Sequence, residues 1–465
     1  MDQSLTLINA QVNFVEERLA LVHIPLELYP FFFKSVLGLI YDETSHRENE
    51  AEDMKDDGSK VDEYSGSYQQ PAFLNISITP VEVSVICPRR LVEKHFVPAI
   101  HEINQLNAQL PFEIVVSAND YIAMQVLGEG LEAGKRVLEL TSPLAMAGIS
   151  IFFISTYFSD YILVPLRSKA SVVSALENRG FQFQNATTAF VNPTSPLSPR
   201  TEKPLSDLIP PLTPPPSTVS ELQTRTFANL RNRQIFPIVD DTIHLVQCAA
   251  HHPYNCQQSS MSILREALAT ILLVDNPRFL SLTLADLDPA ASLLLEKRLL
   301  PRFARPGEDF EDGSGLLLGS KEDHLIPIIL DLRELPLEAS GIVCGVAGRL
   351  AEATDNHSRP SNDVPESKVM SSVINSVPAL FDTVGTRLAR GFEKRRRSSV
   401  HKPPATHHLK PEVDPSADAV EISFLSTARA GTIIVGEDEL QRAIDALEAE
   451  KRQDSPAVED TDHNV

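Results

Sequence analysis

The clearest pattern of hydrophobic and polar positions in the chain is a strand–turn–strand sequence that occurs twice. Residues 150–164 read SIFFISTYFSDYILV and residues 421–435 read EISFLSTARAGTIIV, and the two align without a gap. Within each strand the recurring residues stand at alternate positions, and alternate residues of a β-strand share one face. They are Ile151, Phe153, Ser155, Ile162 and Val164 in the first copy and Ile422, Phe424, Ser426, Ile433 and Val435 in the second. The pattern predicts two β-hairpins, each with one face covered by helices.

Each hairpin is flanked by the same order of predicted elements. In the first half, DYIAMQVLG predicts a strand and LEAGKRVLELTSPLAMAG a helix before the hairpin; SKASVVSALENRG predicts a helix and FQFQ a strand after it. In the second half, HLIPIILDL, LEASGIVCGVAGRLAEA and EDELQRAIDALEAEK occupy the corresponding places, and the last strand is weak. Fainter copies of this order lie at residues 9–40 and 242–275. The predicted fold class is α+β, with about four ferredoxin-like βαββαβ units in two related halves.

Polar and proline-rich stretches divide these units. An acidic stretch, a Pro/Ser-rich stretch and a mixed stretch with a basic run each contain little to bury, which is typical of disordered segments. The predicted organisation is a first unit at 1–118 with a disordered acidic loop at 42–70, a second unit at 119–190, a linker at 191–224, a third unit at 225–323, a fourth unit at 324–452 with a disordered insertion at 354–418, and a disordered tail at 453–465.

Charge and cysteine content narrow the function classes. The chain has 41 Lys and Arg against 63 Asp and Glu, a formal net charge of −22. An acidic surface repels phosphate backbones and anionic lipids, so nucleic acid is not an expected partner. No run of 18 apolar residues occurs, and the N-terminus has no signal-peptide pattern, so we expect no transmembrane segment. The four scattered cysteines suit a reducing compartment, and a cytoplasmic protein is the expectation.

Catalytic chemistry is not evident in the sequence. VLGEGLEAG at 126–134 follows a predicted strand, but its glycine spacing is one residue too long for a dinucleotide loop, and its acids would repel a phosphate. CAAHHPYNC at 248–256 holds cysteine and histidine, either as a zinc site or, as we favour, as a solvent loop. No serine or histidine stands in a catalytic arrangement. We expect a non-enzyme with no cofactor and no bound metal.

The predicted disordered segments contain kinase-type motifs. Ser195, Ser198 and Thr213 each precede a proline, and Ser398 and Ser399 follow three arginines. A phosphate would add about −1.5 to −2 charge at any of them. These five residues are the candidate phosphorylation sites.

Three segments carry a resemblance to a known family. They are GISIFFISTYFSDYILV at 148–164, SGIVCGVAGRLAEA at 340–353 and ISFLSTARAGTIIVGEDELQRAIDAL at 422–447. The chain resembles ACT-domain proteins, and among them the CASTOR family of cytosolic arginine sensors acting on the TOR pathway. The resemblance implies four ACT-like units, with an amino acid bound between the second and the fourth. It leaves a homodimer open.

The resemblance also implies which residues hold the ligand. Ser150 and Ile151 fall where the family holds the polar end of the amino acid. Gly341, Ile342 and Val343 fall on the loop-to-helix glycine and its neighbours, whose backbone amides meet the ligand carboxylate. A helix N-terminus offers unpaired N–H groups and partial positive charge, and glycine allows close approach.

The chain differs from the family at three positions that, in the family, hold the guanidinium group of the arginine ligand or form the ligand-binding loop. The aspartate that pairs with the guanidinium is replaced by Gly431, the acid before the loop glycine by Ala339, and the first loop glycine by Pro336. A guanidinium buried without a carboxylate loses several kcal/mol. Arginine is therefore not the expected ligand unless Glu338 or Asp331 substitutes. Another amino acid or an empty site remains open.

The turn of the second-unit hairpin carries a second implied function. In the family this turn contacts the GATOR complex, and Tyr157 and Asp160 match there whereas Phe158 departs. Aromatic residues beside an acid suit a protein contact, although an ordinary hairpin turn explains them equally well. Two functions therefore stay open: an amino-acid sensor, and a ligand-free ACT-based scaffold controlled by phosphorylation of its loops.

Overall fold

The structure is a computed structural model that describes residues 10–41, 73–106, 113–128, 133–185, 188–191, 216–250, 260–288, 290–304, 316–319, 323–337, 339–357 and 422–448. All of these except His357 belong to one compact body formed by Met1–Asn356 and Ala419–Val465. The five candidate phosphorylation sites, the acidic loop at 42–70 and the tail at 453–465 lie outside the described residues. So do Glu338 and most of the linker and of the insertion at 354–418.

Short strands make up the sheets. They are β1 (Ala10–Ile24), β2 (Phe73–Ile78), β3 (Val83–Pro88), β4 (Val115–Val116), β5 (Tyr121–Gly128), β6 (Phe152–Ser155), β7 (Asp160–Pro165), β8 (Phe181–Asn185), β9 (Thr188–Val191), β10 (Ile238–Val239), β11 (Leu245–Ala250), β12 (Leu280–Ala285), β13 (Ser292–Glu296), β14 (Leu317–Leu318), β15 (Leu325–Asp331), β16 (Ile422–Ser426) and β17 (Ala430–Gly436).

Helices alternate with these strands. They are α1 (33–41), α2 (Arg89–Leu91), α3 (Val97–Leu106), α4 (Ala133–Met146), α5 (Lys169–Glu177), α6 (Val219–Asn232), α7 (Ser260–Thr270), α8 (Ile342–His357) and α9 (Leu440–Glu448). Short 3-10 turns cover Tyr29–Phe32, Leu166–Ser168, Lys297–Phe303 and Glu437–Glu439, and π turns cover Val92–Phe96 and Ile271–Asp275. Within the described ranges, no helix combines the length and the apolar character that crossing a bilayer requires.

The strands form four small antiparallel sheets, one for each unit. In spatial order they are β4–β1–β3–β2, β1–β5–β7–β6, β14–β11–β13–β12 and β10–β15–β17–β16. The sheets join edge to edge, through β2 with β12, β6 with β16, and β11 with β15. Because β1 runs through two sheets, the strands close into a ring. The predicted α+β class with ferredoxin-like units is confirmed.

The edge strands of the second and fourth units come from earlier in the chain, near the beginning of each half. The second part of β1 pairs with β3, whereas its first part, Ala10–Val15, pairs with β5. In the second half, β10 pairs with β15 and occupies the same edge of the fourth unit. The FQFQ segment does form β8, but it pairs with β9 because β1 already covers the edge of β5. The fourth strand that the sequence did not reveal in the second half is therefore β10.

The recurring hairpin residues lie where the alternation predicts. Phe153, Ile162 and Val164 share one buried cluster with Ile422, Phe424, Ile433 and Val435, and Ile151 packs against it. Residues of the other parity, such as Phe152, Ile154 and Leu425, belong to a separate cluster on the opposite face of the strands. The rings of Phe153 and Phe424 meet edge to face at 6.2 Å between centroids. The second and fourth units therefore share one core.

A threonine closes three of the four hairpin turns in the same way. Thr156 Oγ1 donates to the carbonyl of Ser159, at 2.7 Å, and Thr427 Oγ1 lies 3.2 Å from the carbonyl of Ala430. Thr79 does the same in the first unit, at 3.2 Å from the carbonyl of Glu82. The recurring threonines are thus turn-forming residues, a role that Ser/Thr side chains commonly have.

Candidate ligand site

A cavity lies between the second and fourth units, as the resemblance implies. It has a volume of about 50 Å³ and is bounded by β15, the start of α8, the β16–β17 hairpin and the start of β6. Four of the five predicted ligand residues line it, namely Ile151, Gly341, Ile342 and Val343. The fifth, Ser150, is buried next to Ile151 but is not among the lining residues. Gly431 also lines the cavity.

The N-terminus of α8 faces this cavity. Gly345 N donates to the Gly341 carbonyl at 2.8 Å, which makes Gly341 the N-cap residue of α8, directly before Ile342. Gly341 has φ +85°, a left-handed conformation that favours glycine. The amides of the first turn of an α-helix have no acceptor within the helix, so they suit a carboxylate. The geometry therefore matches the role that the resemblance implies for Gly341 and its neighbours.

Helix α6 supports the start of α8. It begins at Val219, inside the stretch that the sequence assigns to a linker, and Thr218 Oγ1 caps it by accepting from Glu221 N at 3.1 Å. Thr226, on its buried face, donates to the Gly341 carbonyl at 3.3 Å. The predicted linker is therefore shorter at its C-terminal end, because apolar α6 residues pack against α8.

The lining of the cavity is mostly aliphatic. Its polar side chains are the hydroxyls of Ser426 and Thr427, and it includes no charged side chain among the described residues. Asp331 is not in the lining: its carboxylate accepts from Arg333, with Nη2 at 2.6 Å and Nε at 3.0 Å. Burial works to raise the pKa of Asp331, but the hydrogen bonds and charge of Arg333 outweigh it and lower that pKa. Asp331 is therefore committed to Arg333.

The size of the cavity also bears on which ligand it can hold. One water needs about 10–15 Å³ of accessible cavity, so 50 Å³ holds the equivalent of three to five waters. A space of this size with an aliphatic lining favours a small apolar ligand over a long charged one. The part of the lining that the structure describes, which does not include Glu338, thus offers no carboxylate to a guanidinium.

Gly341→Ala is expected to destabilise the protein by about 1–2 kcal/mol, the usual cost of a left-handed residue with a Cβ. A Cβ at this position would also lie 2.8 Å from Leu222 Cδ1, a side-chain end that can move. Gly148→Ala is a matched control that measures the backbone cost alone, because Gly148 also has a positive φ, +70°, but nothing lies within 4 Å of an added Cβ. Urea unfolding of both variants measures the costs. Wild-type stability in Gly341→Ala would contradict the left-handed start of α8.

The second-unit turn is docked against the third unit. Tyr157 N donates to Ser292 Oγ at 2.8 Å, and the Tyr157 and Phe158 rings are half-buried and meet edge to face. Asp160 is only 4% exposed, and Arg136 Nε donates to it at 2.9 Å. Burial raises the pKa of Asp160, although Arg136 opposes this. The expected exposed aromatics beside an acid are not found, since the turn packs inward; the partner-binding role stays a prediction.

A second, polar cavity surrounds this turn. It has a volume of about 300 Å³, and its lining includes Arg136, Ser155, Asp160, Gln247 and Ser423. Each of the two cavities lies between one hairpin turn and the beginning of the other hairpin. The pair therefore follows the approximate two-fold relation of the halves, with an apolar cavity at one end and a polar one at the other.

Asp288 links the turn to the third unit and gives a pH prediction. Its Oδ1 accepts from Gln125 Nε2 at 3.0 Å and Ser159 Oγ at 2.9 Å. Burial raises the pKa of Asp288, and these hydrogen bonds oppose it only in part. A carboxyl with a raised folded pKa takes up its proton more readily in the folded state. The free energy of unfolding therefore falls as the pH rises from 3.8 through the folded pKa.

Asp288→Asn should weaken that pH dependence and leave stability at pH 7 unchanged or higher, because an amide oxygen can accept both hydrogen bonds. Urea unfolding between pH 4 and pH 7 measures the slope, with the exposed Asp323→Asn as a control that should change little. A variant slope equal to the wild-type slope would mean that Asp288 does not titrate in this range.

Comparison with known proteins finds a family match over most of the second unit. A family model described as an ACT domain matches residues 116–178, which contain β5, α4, the β6–β7 hairpin and α5. No curated protein matches the chain. Among solved structures, the aspartate kinase from Synechocystis is similar over 94% of this chain at 11% identity and a TM-score of 0.25, and the chain spans 55% of that protein. Protein Atu0741 from Agobacterium tumefaciens is similar over 36% of this chain and 87% of its own, at 15% identity and a TM-score of 0.20. Residues 116–178 therefore match an ACT domain, and they lie within an α+β fold.

Proposed function

We propose that this chain is a non-catalytic regulatory protein that binds a small aliphatic amino acid between its second and fourth ACT-like units. The observation that carries the proposal is the convergence of Ile151, Gly341, Ile342 and Val343 on one cavity at the start of α8. The first-turn amides of α8 would hold the ligand carboxylate, and the aliphatic lining would surround its side chain. Gly431 in place of an acid argues against arginine.

Thermal unfolding of the full chain against each of the twenty amino acids at millimolar concentration tests this function. A ligand at one hundred times its dissociation constant stabilises by about 2.7 kcal/mol, which raises the melting temperature measurably. We expect a shift with one or more of the small aliphatic amino acids and none with arginine. A shift with arginine would contradict the argument from Gly431.

Variants at Gly431 locate the ligand without straining the backbone. A Cβ there would meet Leu332 Cδ1 at 3.5 Å, an ordinary contact. Gly431→Ala should therefore retain binding, whereas Gly431→Leu should fill the cavity and abolish it, with both variants folded. A ligand that still binds Gly431→Leu is held elsewhere, for example in the polar cavity around Asp160.

The finer proposal, regulation of the TOR pathway through a GATOR-like complex, rests on the CASTOR resemblance. Its support in this chain is the sequence match at Tyr157 and Asp160. Co-precipitation of GATOR components with the wild type and with Tyr157→Ala, with and without the amino acid found above, tests it. Loss of the complex in the variant, with a melting curve that shows the variant to be folded, is the expected result. Equal co-precipitation would remove the turn from the contact.

The alternative function is a ligand-free scaffold whose loops are phosphorylated. The small size and apolar lining of the cavity favour it, since a site that had lost its ligand would close in this way. No melting shift with any amino acid, together with retained partner binding, would support the scaffold over the sensor.

A further inference from the structure

Three side chains of metal-ligand type meet where the third and fourth units join. His244 precedes β11, His324 precedes β15 and Glu437 follows β17. One ligand atom of each lies within 4.8 Å of those of the other two. His244 is half-buried, and the side chains of His324 and Glu437 are 49% and 62% exposed. The cluster is therefore reachable from solvent on one side and closed on the other.

Backbone pairing fixes the three positions. Lys297 N donates to the His244 carbonyl at 2.8 Å, and Glu437 N donates to the His324 carbonyl at 2.9 Å. The next residues along the strands continue the register, with Leu325 opposite both Leu245 and Gly436. Each of the three residues thus stands at the end of a paired strand, which is a rigid support for a ligand set.

The side-chain geometry favours a common point between the three residues. The rings of His244 and His324 meet edge to face at 5.6 Å between centroids, and His324 Nδ1 lies 3.9 Å from a Glu437 carboxylate oxygen. Nδ1 of His244 is buried and has no hydrogen-bond partner within the described residues. Buried polar atoms are usually paired, so this nitrogen needs an explanation. A cation between the three side chains supplies one.

We propose that His244, His324 and Glu437 bind a divalent transition-metal ion of the zinc class, with solvent in the remaining position. Two imidazoles and one carboxylate are a donor set that zinc accepts, whereas Ca²⁺ and Mg²⁺ prefer oxygen alone. In a tetrahedral site with bonds near 2.0–2.1 Å, ligand atoms lie about 3.4 Å apart. The two exposed side chains can make that approach by changing rotamer. This site is separate from the amino-acid cavity and does not depend on it.

Lys297 is the charged neighbour that competes with the ion. Its Nζ lies 3.2 Å from His324 Nε2 and would have to move when a cation binds. Lys297→Met removes this competing charge and should tighten metal binding. Unchanged or weaker binding in this variant would place the metal away from His324.

Calorimetric titration of untagged full-length protein with Zn²⁺, and with Co²⁺ as a spectroscopic substitute, tests the proposal. We expect one ion per chain and a melting temperature that rises with Zn²⁺ and falls back with EDTA. His324→Ala and Glu437→Gln should weaken binding more than tenfold, because even changes outside the ligand shell cost about 10–100-fold. Both residues are exposed, so the variants should fold as the wild type does.

The cysteine- and histidine-containing segment at 248–256 provides the matched control. A double variant, His251→Ala with His252→Ala, should bind zinc as the wild type does. The Co²⁺ complex should show d–d bands without a thiolate charge-transfer band, since the proposed site has no sulfur ligand. Loss of binding in the double variant, a thiolate band, or full binding in His324→Ala would each overturn the proposal.

Discussion

Glu82→Leu should lower the free energy of unfolding by about 3–5 kcal/mol, because it removes a carboxylate that three buried groups contact and each unsatisfied buried group costs about 1–3 kcal/mol. Glu82 is fully buried in the β2–β3 turn of the first unit. Its carboxylate contacts His23 Nδ1 and accepts from Thr427 Oγ1, at 2.6 Å, and from the backbone amide of Arg429. Leucine would leave all three groups buried without their acceptor. Urea unfolding at pH 7 measures the loss.

The variant Glu82→Gln keeps the shape of the side chain and removes its negative charge. An amide oxygen can still accept from Thr427 and Arg429, so we expect a loss of about 1–2 kcal/mol, clearly smaller than that of leucine. Equal losses in the two variants would mean that the negative charge of the carboxylate, which both variants remove, dominates over hydrogen bonding and packing. A loss under about 1 kcal/mol for Glu82→Leu would contradict the burial of this carboxylate.

The position of this network connects it to the ligand cavity. Thr427 lines the cavity and, through Glu82, is tied to the first unit, which is not part of the lining. Glu82 is therefore a positioning residue for the turn that closes the cavity. If the proposed function is correct, Glu82→Gln should change ligand affinity although residue 82 does not touch the ligand.

Phe153→Ala should cost about 3–5 kcal/mol, the range for deleting a buried aromatic ring. Phe153 is fully buried in the core that the second and fourth units share, and its ring contacts that of Phe424. The truncation leaves an apolar void because the surrounding strands and helices cannot collapse into it. Thermal or urea unfolding measures the cost, with Phe31→Ala, at a residue that is 58% exposed, as a control expected within about 0.5 kcal/mol of wild type.

A double-mutant cycle with Phe424→Ala measures the contact between the two units. Edge-to-face pairs contribute about 0.5–1.5 kcal/mol beyond the area they bury, so the double variant should lose less than the sum of the single variants. Strict additivity would show that the rings do not touch in solution. Because Phe424 also lines the cavity, Phe424→Ala should enlarge it and favour a bulkier amino acid.

Local pattern in the sequence was enough to predict the hairpins and their faces. The alternation at residues such as Phe153 and Phe424 reflects burial on one side of a strand, which any single hairpin reveals. Four of the five candidate ligand residues do lie around one cavity. They could be selected from the sequence because the resemblance covers whole strand and helix segments, so that the spacing of the residues within each segment was known. Helix α6 was not predicted, because its start was assigned to the linker, although Thr218 and Glu221 have the spacing of a capping box.

Long-range pairing could not be predicted in the same way. Nothing in the sequence near β1 indicates that its first part completes a sheet formed by residues more than a hundred positions later. Glu82 reads as an exposed turn residue, and only the approach of Thr427 and Arg429 makes it a buried acceptor. The cavity volume depends on how the side chains of several units pack together, which periodicity does not encode.

The ring of strands joins its two halves very unevenly. Strands β2 and β12 pair along their whole length, from Phe73 with Ala285 to Ile78 with Leu280, whereas β6 and β16 meet in register only at Ile154 and Leu425. On the β6–β16 side the halves are therefore joined mainly by the side chains of the core that the second and fourth units share, such as Phe153 and Phe424, and little by strand pairing. A ligand bound in the cavity, which is lined from both β6 and the β16–β17 hairpin, would add contacts between the halves on this side that strand pairing does not supply.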